Sequence, residues 1–182
     1  MIYLLALLTL SACAQPDVTY KRKDWQSRWA DDDKNCRDTR AEILIERSLV
    51  PVTFTNKKKC RVRFGEWKDY YYPEIIKDAK MIDIDHLVPL YEAHKSGGSS
   101  WSKLKRKEFA NDPDNLVITS RTTNRQKGAN TLKNWLPMNI KYACRYYYQW
   151  MSIKKKYELK ISDEEINSLD LSKCIGNEIN SL

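Results

Sequence analysis

Asp83-Ile84-Asp85-His86-Leu87-Val88-Pro89-Leu90 opens the stretch that decides how this chain is read. Asp114-Asn115-Leu116-Val117-Ile118-Thr119 and Asn124-Arg125-Gln126-Lys127-Gly128 close it. Met81 to Val88 is expected to form a strand, and Asn115 to Thr119, with its apolar run, a second. Ser120 is an N-cap residue for a helix over about 121–128, and Gly128 suits its end. The outcome is an α+β unit of strand, loop, strand and helix. Asp85 and His86 are neighbours, so on a regular strand their side chains would point to opposite faces. For both to serve one site the strand must bend or end there, and Pro89 is compatible with that. Asn124 and Lys127 lie one turn apart on one helix face, which this arrangement could bring onto Asp85.

Taken singly, these residues are ordinary: an Asp-His pair is often structural, Asn115 fits a turn, and Asn124 fits a solvated helix position. As an ordered set they carry a specific chemistry. Hydrolysis of a phosphodiester needs a base for water, a cation to offset oxygen charge, and a scaffold that aligns the two. Histidine titrates near neutrality and suits the base. Carboxylate and amide oxygens suit a hard ion such as Mg²⁺, which keeps several waters and takes few protein ligands.

The stretch from Asp83 to Lys127 closely resembles the ββα-metal site of HNH endonucleases, in the variant where asparagine replaces the last histidine. Asp-Ile-Asp-His-Leu-Val-Pro, Asp-Asn-Leu-Val and Asn-Arg-x-Lys resemble the HNH domain of CRISPR effector nucleases. Asp38-Thr39-Arg40-Ala41-Glu42, Phe109-Ala110-Asn111-Asp112 and Asn134-Trp135-Leu136-Pro137 look like a subfamily of small exported bacterial HNH nucleases. The resemblance implies that His86 is the general base and that Asp85 and Asn124 hold one Mg²⁺ or Mn²⁺ ion. It implies that Asn115 orients the loop carrying His86, that Lys127 sits near phosphate, and that Asp83 holds a basic neighbour. The expected function is a metal-dependent endonuclease acting on DNA, or on RNA, with little sequence specificity. The rival reading is a non-catalytic lipoprotein that binds nucleic acid or a protein.

Outside this stretch, 182 residues suffice for one domain with a real core. The formal net charge of +8 suits a polyanionic partner. Its basic residues cluster at Lys57–Lys59, at Lys103 to Lys107 and at Lys154–Lys156. Met1 to Ala12 is an apolar run too short to span a bilayer, and Leu10-Ser11-Ala12-Cys13 looks like a lipobox. Residues 1–13 are therefore expected to be a signal peptide, 14–35 a tether and lead-in segment, and 36–182 the nuclease domain with its core at 81–137. Export is expected, to the periplasm, to the outer membrane or cell surface through a lipid anchor on Cys13, or into the medium. No obligate protein partner is evident.

Cys36, Cys60, Cys144 and Cys174 remain once Cys13 is set aside, and an even count in an exported chain reads as two disulfides. Three pairings are open; short loops favour Cys36–Cys60 and Cys144–Cys174. A zinc site is disfavoured because no CxxC pair exists. Flanking elements are expected as a helix near 39–48 opened by a Thr39–Glu42 capping box, and a short strand pair at Val50–Phe54 and Arg61–Phe64. Gly65 to Asp78 should be irregular, with a basic helix over Trp101–Ala110 and a long helix after Pro137. His94 is read as a surface residue, and Tyr70–Tyr72 and Tyr146–Tyr148 as packing side chains rather than base-stacking ones.

Overall fold

The computed structural model describes residues 19–174, so the expected signal, Cys13 and the first part of the tether lie outside the described residues. In chain order the elements are α1 (Thr39–Glu46), β1 (Phe64–Lys68), β2 (Ile75–Asp78), β3 (Ile82–His86), α2 (Leu90–Lys95), α3 (Lys103–Asn111), β4 (Leu116–Ser120), α4 (Arg121–Lys127), α5 (Ile140–Lys156) and α6 (Asp163–Ile166). The chain is α+β, with two small antiparallel sheets, β1–β2 and β3–β4.

β3 and β4 pair from Ile82↔Ser120 to His86↔Leu116. Because side chains alternate along a strand, the hairpin divides two cores. Ile82, Ile84, Leu116 and Ile118 pack with Ile43, Leu44, Trp67 and Ile76. Val117, with Leu87 and Val88 just past β3, packs with Tyr71, Phe109, Tyr146 and Trp150. Each such fully buried side chain contributes about 1.5–3 kcal/mol. The expected hairpin and its following helix are therefore present within two residues of the predicted bounds. Ser120 Oγ accepts from Thr123 N at the start of α4, and Gly128, at φ 54°, ends it where a side chain would be strained.

Elsewhere the structure corrects the reading. The strand pair at 50–54 and 61–64 is only an isolated bridge, Phe54↔Val62. The paired strands β1 and β2 fall instead in the stretch expected to be irregular. Trp67 decides this: it is fully buried, and its indole N–H donates to Leu44 O at 2.7 Å. α1 is capped by Asp38, which accepts from Ala41 N, and not by Thr39. α2 has no counterpart in the sequence reading, and it buries His94 among Tyr20 and Trp25 instead of exposing it. The third basic cluster is split: Lys154 is buried between Glu92 and Glu165, whereas Lys155 and Lys156 are exposed, Lys156 paired with Asp112 and Asp114. Ser162 and Glu165 form a capping box at α6.

The disulfides are Cys36–Cys60 and Cys144–Cys174, the pairings with the shorter loops. Tyr71, Tyr146 and Tyr147 are core residues, whereas Tyr72 and Tyr148 are exposed.

Candidate active site

β3 ends at His86, which resolves the problem of two adjacent side chains at one site. The chain leaves the strand there because Asn115 captures it. Asn115 Oδ1 accepts from Val88 N at 2.8 Å and Nδ2 donates to Val88 O at 3.2 Å. Leu87 N donates to Asn115 O at 2.8 Å. Asn115 is fully buried, so these bonds form in a low-dielectric interior where an unpaired amide would be costly.

His86 is 4% exposed. Its Nε2 lies 2.8 Å from Ala110 O. A carbonyl can only accept, so Nε2 carries the proton and Nδ1 of the neutral ring is left with its lone pair. The Trp29 ring stacks on the imidazole, with centroids 5.7 Å apart and planes at 17°. Burial pushes the His86 pKa down to about 4, helped by the positive Arg22 and Lys127 and opposed by the Ala110 hydrogen bond and Asp85.

This depression sets a pH dependence of stability. Below pH 6.5 the unfolded chain protonates this histidine while the folded chain does not, until pH approaches about 4. The folded state thus loses stability as pH falls through that window, by roughly 2 kcal/mol between pH 6.5 and 5 from this one group. Urea titrations in EDTA at pH 7 and pH 5 should show a larger loss for the natural chain than for His86→Gln. Equal losses in the two chains would mean that the ring is not held neutral.

Asp85 Oδ2 accepts from Tyr71 Oη at 2.7 Å and pairs with Lys127 Nζ at 2.8 Å. Lys127 Nζ also donates to His86 O at 3.0 Å. Lys127 is fully buried. It braces the Asp85-His86 dipeptide from inside. Burial holds the Tyr71 pKa well above the usual phenol range, so the hydroxyl remains a donor to Asp85. Tyr71 is itself positioned by buried Asp69, which accepts from Tyr71 N at 2.7 Å, Ser120 N at 2.6 Å and the Thr119 hydroxyl.

On α4, Asn124 Nδ2 donates to Asp83 Oδ2 at 3.1 Å, which leaves Asn124 Oδ1 as an unspent oxygen. Asp83 also lies 3.6 Å from Arg121 Nε, the basic neighbour expected of it. Asp85, His86 and Asn124 line one cleft of about 410 Å³, together with Tyr20, Arg22 and Tyr91. Among the described residues no three His, Cys, Asp or Glu side chains gather as a ready-made metal cluster. The donors in the cleft are instead one carboxylate oxygen of Asp85 and the Asn124 amide oxygen. That set fits a hard ion that retains most of its water and does not fit zinc.

Sequence reasoning missed Asp69, Tyr71, Trp29 and Arg22. Asp69 and Tyr71 sit in a turn with no periodic signal, and Trp29 and Arg22 lie more than fifty residues from His86 in a segment read as a tether.

Residues 38–169 match the family described as GmrSD restriction endonucleases, C-terminal domain. A protein of Arthroderma benhamiae (strain ATCC MYA-4681 / CBS 112371), described as an uncharacterized secreted protein, is 35% identical over 112 residues. That region is 60% of this chain and 55% of the relative, so the chain spans about half the relative's length. No solved structure matches.

Proposed function

Since the chain belongs to the family of GmrSD restriction endonuclease C-terminal domains, an HNH-type family, we propose that it is a metal-dependent endonuclease hydrolysing DNA phosphodiester bonds. The observation that carries this reading is the meeting of Asp85, His86 and Asn124, from two strands' worth of separation in sequence, in one cleft. In this reading β3, β4 and α4 are the ββα-metal unit.

His86 Nδ1 takes the proton from the attacking water, its ring held in the required tautomer by the Ala110 carbonyl and in its plane by Trp29. Asn115 keeps the Leu87-Val88 turn closed, so that His86 points into the cleft. Asp85 and Asn124 would hold one Mg²⁺ or Mn²⁺, which supplies positive charge to the phosphate oxygens as the leaving group departs. Tyr71 and Lys127 occupy Asp85 Oδ2 and so leave Oδ1 to face the cleft. Two disulfides and a secreted relative support export to an oxidising compartment. A lipid anchor on Cys13 is part of the same proposal.

Incubation of supercoiled plasmid, linear duplex, single-stranded DNA and RNA with Mg²⁺ or Mn²⁺, with and without EDTA, tests this function. Nicking that EDTA abolishes is expected; binding without any cutting would leave the non-catalytic lipoprotein reading in its place.

Asp85→Asn, which keeps an oxygen for Tyr71 and Lys127, and Asn124→Ala should each raise the Mg²⁺ concentration needed for half-maximal cleavage. The double variant should be little worse than the worse single one, because groups serving one ion act as a unit. Multiplying losses in the double variant would argue against a shared ion.

A further inference from the structure

We propose that Arg22 binds the phosphate of the strand being cut, and that the segment Tyr20–Trp29 carrying it is a wall of the active site. This rests on the nuclease reading above. The segment lies outside residues 38–169, the part matched to the family.

A phosphodiester entering the cleft meets the carboxylate of Asp85. Like charges within a few ångströms repel, and more strongly as water is excluded. Besides the metal, the site needs a protein cation that can reach the anion. Lys127 cannot serve, since it is fully buried and bonded to Asp85 and the His86 carbonyl. Arg121 is taken up by Asp83. Arg22 is the one Lys or Arg among the residues lining the cleft. Its side chain bonds to neutral groups, the Gln26 amide oxygen at 3.4 Å and the Tyr20 hydroxyl. Among the described residues no carboxylate forms an ion pair with it. A guanidinium placed this way has donors left for a phosphate, which its planar fork fits two oxygens at a time.

The segment is anchored on both sides of Arg22. Trp25 is buried in the core with Leu87, Val88 and Phe109. Its ring lies so close to Gly98 that a Cβ there would come within 2.6 Å of it. Trp29 stacks on His86. Ala30 N donates to Asn111 Oδ1 at 3.1 Å, and Ala30 O accepts from Thr39 N at 2.7 Å. Tyr20 and Arg22 of this anchored segment line the cleft, and Arg22 is exposed there.

Arg22→Gln and Arg22→Lys test the assignment. Arg22 is exposed, so both variants should melt like the natural chain. Cleavage of an end-labelled duplex with Mg²⁺ or Mn²⁺ is expected to fall roughly 100-fold in kcat/KM for Arg22→Gln, with partial recovery in Arg22→Lys. Duplex binding in EDTA, followed by fluorescence anisotropy across a NaCl series, should lose about one from the slope of log K against log salt in Arg22→Gln. If the natural chain cuts, and Arg22→Gln cuts equally well with an unchanged slope, the Arg22 assignment is overturned and the nuclease reading stands. If the natural chain neither binds nor cuts duplex, the nuclease reading falls and this inference with it.

Discussion

His86→Ala lowers turnover on duplex DNA by roughly 10²–10⁴, the usual size of general-base catalysis, while duplex binding changes little. His86 is the histidine that lines the cleft with Asp85 and Asn124. The other histidine, His94, is buried among Tyr20 and Trp25 and does not line that cleft. The expected loss belongs to kcat, since in the proposed mechanism the imidazole acts on the water and is not a phosphate ligand. A thermal melt and anisotropy on the same preparation separate lost chemistry from lost fold. His86→Gln, which can still donate to the Ala110 carbonyl, should be as inactive as His86→Ala but better folded. Turnover near that of the natural chain in either variant would remove His86 from the mechanism.

Glu165→Ala destabilises the protein by roughly 3–5 kcal/mol, because it strips a partner from a buried charge. Lys154 Nζ has no exposure and lies 2.6 Å from both Glu92 Oε1 and Glu165 Oε1. Glu165 Oε1 also accepts from the Trp150 indole at 2.8 Å, and Oε2 accepts from Ser162 N at 2.8 Å. One truncation therefore leaves an ammonium short of a carboxylate and two donors without acceptors. The cluster ties α2, which follows the His86 turn, to α5 and α6, so the loss should be global. Urea unfolding under oxidising conditions gives the number. Replacing the whole cluster, Lys154→Met with Glu92→Gln and Glu165→Gln, should cost less than Glu165→Ala alone. A Glu165→Ala loss below about 1 kcal/mol would show that the cluster is not the clamp it resembles.

How legible the chain was depended on how local each feature is. Strands β3 and β4 and helix α4 carry their own signals: alternating isoleucine and aspartate, a serine cap and a terminal glycine. Counting the cysteines left three disulfide pairings open, and the structure has the one that short loops favoured. β1 and β2 were misplaced because the alternation of Arg61-Val62-Arg63-Phe64 is a stronger local pattern than Phe64-Gly65-Glu66-Trp67-Lys68. What decides the pairing is burial of Trp67 against α1, a contact twenty-three residues away in sequence. α2 was missed because Leu90 to Lys95 is short and its buried face is mostly His94 and Ala93, which carry little apolar signal.

The sequence by itself determined the chemistry on offer: a carboxylate-imidazole pair at a strand end, an amide to turn the chain, and a second amide on the following helix. These sit in segments whose conformation is set by near neighbours, so their order and spacing survive any tertiary arrangement. Only the tertiary structure decided what each polar group faces. It turned Lys127 inward onto Asp85, set Tyr71 beside the same carboxylate through Asp69, stacked Trp29 on His86 and brought Arg22 to the same cleft. The physical reason is that burial and charge pairing depend on groups distant in sequence that packing of the cores brings together. A lysine that reads as a phosphate ligand along the chain can therefore be a buried brace in the fold.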